Sequence, residues 1–181
     1  LEIIYVIFST AFSLIYRNDL FNGEINRSII RFISLIIYVY FFKTINKNSS
    51  KSHINITNVL FISLSLILLM IYPLLYQKAN FSGLLGFIWF ASSFIVGFRE
   101  EIFYRGFVQY SINKSKGIIT SIILTSLIFT SYHVIFFIWG QWITLVQIFI
   151  WSLVIGIIYY KTKNIVFVSL IHGVYDAIPF I

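Results

Sequence analysis

The sequence predicts an all-α fold, a polytopic transmembrane helical bundle of about seven spans. Three observations predict it. The 181 residues are 59% hydrophobic, 20% aromatic and only 10% charged, where a soluble domain carries about 25% charged residues. The mean hydropathy is +0.92, and apolar sequence extends along the whole chain rather than in one anchor. Most of the Lys and Arg lie between the apolar runs, as expected of loops that fix topology. A spanning helix takes roughly 20 mostly apolar residues, so the length holds about six to eight spans. The chain then reads as one membrane-embedded domain over residues 1–181, with no room for a separate soluble domain.

Residues 1–16 form the first span. No positively charged segment precedes Leu1, and no small-residue cleavage site follows the apolar run, so it reads as a span rather than a signal peptide. Residues 17–27, with Asn18, Asp19, Asn22, Gly23 and Glu24, read as a polar loop with turn residues. Residues 29–42 form the second span, with Arg31 near its start able to snorkel toward water. Residues 43–58 are the longest polar stretch, and His53 within it belongs to a solvated basic loop. Residues 59–76 form the third span, 81–98 the fourth, 118–139 the fifth, 142–160 the sixth and 165–181 the seventh. Polar breaks fall at 77–82, 113–117 and 161–164.

The net charge of +7 lies in these loops and is no nucleic-acid footprint. Lys43, Lys47, Lys51, Lys114, Lys116, Lys161 and Lys163 follow the even-numbered spans. The positive-inside rule places them, and the end of span four, toward the cytoplasm. The expected location is a membrane, with the end of span four on its cytoplasmic side. There are no cysteines, which excludes disulfides, thiolate catalysis and thiolate metal sites.

The six Asp and Glu are scarce, and two of them stand side by side as Glu100 and Glu101. Arg99 and Arg105 flank them within seven positions, between apolar runs. An ionised carboxylate in hydrocarbon costs several kcal/mol, so it is rare there without a task or a partner. If the helix of span four continues, Glu101 and Arg105 are i,i+4 and form an internal ion pair. Glu100 is rotated by about 100° from Glu101 and points elsewhere. His133 follows Phe129 at i+4 in span five, and Asp176 follows His172 at i+4 in span seven. Glu100, His133, His172 and Asp176 could all aim at one point in the bundle core. Such a set either binds a divalent metal such as zinc or activates water with a general base and polar oxyanion donors. No G-x-S-x-G serine motif is present.

Glu100-Glu101-x-x-x-Arg105, Phe129-x-x-x-His133 and His172-x-x-x-Asp176 stand in that order on successive apolar segments. Together they resemble the CAAX-protease and bacteriocin-processing family (CPBP or Abi intramembrane proteases). The resemblance covers the motif-bearing core, about residues 81–181. It implies a helical membrane bundle with a cavity open to the cytosol, and hydrolysis of a peptide bond in or near the membrane. By resemblance Glu100 activates the water and His133 is its partner. Glu101 and Arg105 are the supporting pair, with Phe129 beside His133. His172 and Asp176 line the opposite wall, where the oxyanion forms. The family motif most often ends in Asn, and an ionised Asp176 would repel an oxyanion. Asp176 suits orienting His172, or ligating a metal, better.

The expected function is therefore an intramembrane endopeptidase acting on a peptide or membrane-protein substrate, in a bacteriocin or signalling-peptide system. The alternative is a non-enzymatic membrane partner, for bacteriocin immunity or for a sensor kinase. An ion transporter would also place Glu, His and Asp inside a membrane, but no inverted repeat of interrupted helices is visible.

Overall fold

The computed structural model describes residues 20–45, 83–134 and 142–178. Spans one and three, and the basic loop around His53, lie outside the described residues. Apart from two short turns, those described are helical, with no strand among them. In chain order they form α1 (Leu20–Ile45), α2 (Gly83–Glu101), a π-helical segment (Ile102–Gln109), α3 (Tyr110–Lys116), α4 (Ile118–Val134), α5 (Trp142–Thr162) and α6 (Ile165–Ala177).

The central rod is continuous. α2, the π segment and α3 make one helix from Gly83 to Lys116, 34 residues long. At 1.5 Å per residue it extends about 51 Å, well beyond a hydrocarbon core of about 30 Å. Gly83–Lys116 and Trp142–Thr162 are both long and apolar enough to cross a membrane. Glu100 and Glu101 therefore sit near the middle of a long helix, not in a break after it. The turn comes at Gly117, whose φ of 80° suits a residue without a Cβ. A second turn uses Lys163 at φ 51°, and Asn164 then caps α6, its side chain accepting from Phe167 N at 3.0 Å.

The expected polar loop over residues 17–27 is corrected by α1, which includes Leu20 onward. Glu24 is fully buried there. It pairs with Arg27 at 2.8 Å and with Arg31. Arg31 does not snorkel outward: it turns inward and donates to Ser92 Oγ on α2 at 2.6 Å. The turn-forming residues at the start of α1 are outweighed by an ion-pair network that holds α1 against α2.

Burial is inverted relative to a protein in water. Arg99, Glu100, Glu101, Arg105, Gln109 and His172 are buried, while Phe32, Ile36, Phe87, Ile119, Ile143 and Val146 are exposed. An apolar exterior around a polar centre is what a lipid solvent selects. The apolar core itself is Tyr104, Phe129, Trp151, Ile155, Ile158, Val168 and Ile171.

α2 packs most extensively on α6, and glycine permits it. A Cβ on Gly97 would stand 2.6 Å from Gly173 N and 2.7 Å from Ser169 O. A Cβ on Gly173 would stand 2.9 Å from Phe94 Cα. Small residues let two backbones approach this closely. The contact lies one turn before the Glu pair on α2 and directly beside His172 on α6.

Candidate active site

The acidic pair is held by two different arginines. Arg105 Nε lies 3.0 Å from Glu101 Oε2, both side chains fully buried. This is the i,i+4 pair expected from the spacing. Arg105 also donates to Ser152 Oγ at 3.0 Å and to its carbonyl at 3.3 Å. One step along, Gln109 Nε2 donates to Gly156 O at 3.0 Å. Arg105 and Gln109, four apart on the π segment, thus meet Ser152 and Gly156, four apart on α5. π turns are rare and occur often at functional sites. This one carries Arg105 and Gln109 onto the α5 backbone.

Glu100 is not unpaired, as the 100° rotation suggested. Arg99 Nη2 donates to Glu100 Oε1 at 2.7 Å. Adjacent helical positions do not normally face each other, but the long arginine stem folds back to a carboxylate that burial would otherwise leave alone. Two guanidiniums and two carboxylates then balance in charge.

His172 stands between the acids. Its Nδ1 lies 2.9 Å from Glu101 Oε1, so Nδ1 carries a proton and donates it to that carboxylate. Its Nε2 is 3.9 Å from Glu100 Oε2 and 3.4 Å from Asp176 Oδ2. The ring is wedged against Trp151 with centroids 4.4 Å apart. Asp176 is the least enclosed member, its side chain 32% exposed. Its carboxylate faces the His172 ring, the geometry of an orienting group.

His133 lies on the cavity wall. Its Nδ1 donates to Phe129 O at 2.8 Å, which in the neutral ring makes Nε2 the acceptor. Phe129 serves the whole cluster. Its ring lies tilted beside His133 at 4.5 Å and edge-on to His172 at 6.0 Å, and carries the Arg105 guanidinium 5.4 Å from its centroid. The motif residues of α2, the π segment, α4 and α6 are thereby brought together. The sequence reading missed Arg99 as a partner of Glu100, and Ser152 and Trp151 on α5. Arg99 was visible as a charge in an apolar run, but Ser152 and Trp151 carry no local signal.

A cavity of about 360 Å³ opens onto the cluster, lined among others by His133, His172, Asp176, Trp151 and Tyr175. It is large enough for a few peptide side chains. A divalent ion does not fit the donor set as it stands. Among the described residues no three His, Asp or Glu side chains converge as ligands of one ion. Both ring nitrogens of His172 face carboxylates, and the Arg99 guanidinium binds the edge of Glu100.

No curated protein and no solved structure matches the chain. A family match covers residues 81–178, which include every motif residue above. That is more than half of the chain, and the chain belongs to the type II CAAX prenyl endopeptidase Rce1-like family.

Proposed function

We propose that the chain is an intramembrane endopeptidase in which Glu100 activates water for attack on a peptide carbonyl. The observation that carries this reading is the 3.9 Å gap between the buried Glu100 Oε2 and Nε2 of His172, a residue that lines the cavity. A water within about 2.6–3.2 Å of both atoms bridges such a gap. The water gives its proton to Glu100 Oε2 as its oxygen bonds to the carbonyl carbon. Arg99 holds Oε1, so Oε2 is the atom presented. The developing oxyanion takes a hydrogen bond from His172 Nε2–H, with Asp176 as the counter-charge to the doubly protonated ring. The proton then passes from Glu100 to the leaving nitrogen as the C–N bond breaks.

Glu101, Arg105 and Ser152 do not touch the reacting atoms in this scheme. They hold the imidazole through Nδ1, and preorganised donors of this kind cost no reorganisation at the moment of reaction. His133 forms the other wall, where its Nε2 can accept from the water or from the substrate amide. Asp176 thus orients and balances His172 and is not itself the oxyanion donor. The Lys-bearing ends, Lys114 and Lys116 on α3 and Lys161 and Lys163 at the second turn, would lie in the cytoplasm of a bacterial cell.

The family name makes a prenylated CAAX peptide the first substrate to test. Purified protein in lipid vesicles should release the C-terminal fragment of a farnesyl-cysteine CAAX peptide, read by mass spectrometry. Release of no fragment from this peptide or from a library of membrane-anchored peptides would reject the reading.

A further inference from the structure

We propose that Arg31 binds a carboxylate of the substrate peptide and so sets where the chain is cut. The inference rests on the endopeptidase reading only for what is cut, not for what binds. Among the described residues that line the cavity, Arg31 is the one Lys or Arg. It comes from α1, outside the matched region of residues 81–178. Its guanidinium is seated before any ligand arrives. Glu24 and Ser92 Oγ both engage Nη1, and Ser92 in turn accepts from Ser28 at 3.2 Å. Arg27 joins Arg31 on the single carboxylate of Glu24, which concentrates positive charge at this end of the cavity.

A planar guanidinium held in place is suited to a carboxylate, which it recognises with directed N–H donors. Preorganisation spares the rotamer entropy that binding would otherwise cost. The apolar part of the cavity lining includes Trp89, Val96 and Ile148, which suits aliphatic side chains beside an anionic group. Peptides supply that combination at a free C-terminus, or at an Asp or Glu among apolar residues.

The spacing then makes a ruler. Ser92, which touches Arg31, lies eight residues before Glu100 on α2, or about 12 Å along the axis. An extended peptide advances about 3.3 Å per residue. A carboxylate on Arg31 and a carbonyl at Glu100 would be separated by about three or four residues.

The test measures binding apart from cleavage. In the Glu100→Gln background, affinity is measured for a farnesyl-cysteine peptide that ends in two aliphatic residues and methionine. It is prepared as the free acid, as the C-terminal amide, and as an amide with Glu in the final position. The free acid should bind about tenfold or more tightly than the plain amide, the size of one charge-assisted hydrogen bond. Adding Arg31→Gln should bring the two together by weakening the acid alone. If the Glu-containing amide matches the free acid, a side-chain carboxylate is the ligand; if it matches the plain amide, the chain terminus is. Equal affinities in the Glu100→Gln background, discrimination that survives loss of Arg31, or no binding of any peptide would overturn the proposal. Cleavage by the wild type without acid preference would remove Arg31's role and leave the endopeptidase standing. Acid preference without cleavage would do the reverse.

Discussion

Gly97→Ala tests how far the site depends on the backbone contact between α2 and α6. The added Cβ would stand 2.6 Å from Gly173 N, and ordinary contact begins at 3.4 Å. Both opposing atoms, Gly173 N and Ser169 O, are backbone, so no side chain can swing away. The helices must part by the difference, about 0.8 Å, because packed interiors transmit strain rather than absorb it. His172 is next to Gly173, and the displacement falls on its 2.9 Å bond to Glu101 and its 3.9 Å gap to Glu100. The bond would lengthen to about 3.7 Å, beyond hydrogen-bond range. A misplacement near 1 Å can cost about a hundredfold in rate, and overpacking of this kind costs about 1–3 kcal/mol in stability. Peptide cleavage per folded molecule should fall by about ten- to a hundredfold, with thermal unfolding in detergent giving the folded fraction. Gly156→Ala is the internal comparison. The atoms nearest its Cβ would be side-chain atoms, Gln109 Oε1 and Ile122 Cγ2 at 3.2 Å, and it should lose less than Gly97→Ala on both measures. Equal activity of Gly97→Ala and wild type, or a larger loss at Gly156, would refute the argument that this contact sets the site geometry.

Three further outcomes follow from the same geometry. Glu101→Ala leaves Arg105 fully buried without its ion-pair partner, and breaking a buried pair from one side costs about 3–5 kcal/mol. Its thermal unfolding should shift down strongly, and a shift no larger than for an exposed loop substitution would count against the pair. Asp176→Asn keeps a polar partner 3.4 Å from His172 Nε2, so it should retain cleavage within about tenfold while Asp176→Ala loses about a hundredfold. Equal rates in the two variants would argue against a contact role for Asp176. Dialysis against a strong chelator should leave cleavage unchanged. Loss of activity that stoichiometric zinc restores would show that the donor set rearranges around an ion.

The parts legible in the sequence are those with fixed helical spacing. Glu101 with Arg105 and His172 with Asp176 follow from i,i+4 geometry alone, and both pairs meet as expected. The scarcity of charge in an apolar chain marked the same residues. The segment around Glu24 was misread because Asn22 and Gly23 are turn formers, while the partners that make it helical lie three and seven residues onward and across on α2. Arg99 was missed as a partner of Glu100 because spacing rules describe where a side chain starts, not how far an arginine stem reaches. The π segment was out of reach for a related reason. Its register is set by Ser152 and Gly156 on another helix, and no periodicity within Ile102–Gln109 announces it.

The most direct measurement is the cleavage rate of Glu100→Gln on a farnesyl-cysteine CAAX peptide in vesicles, beside wild type. The substitution keeps the shape and an oxygen for Arg99 but removes the base. The account predicts a fall of about 10²–10⁴-fold, the usual worth of a general base, in protein whose helical content and membrane insertion are unchanged. Cleavage by Glu100→Gln at the wild-type rate would contradict it.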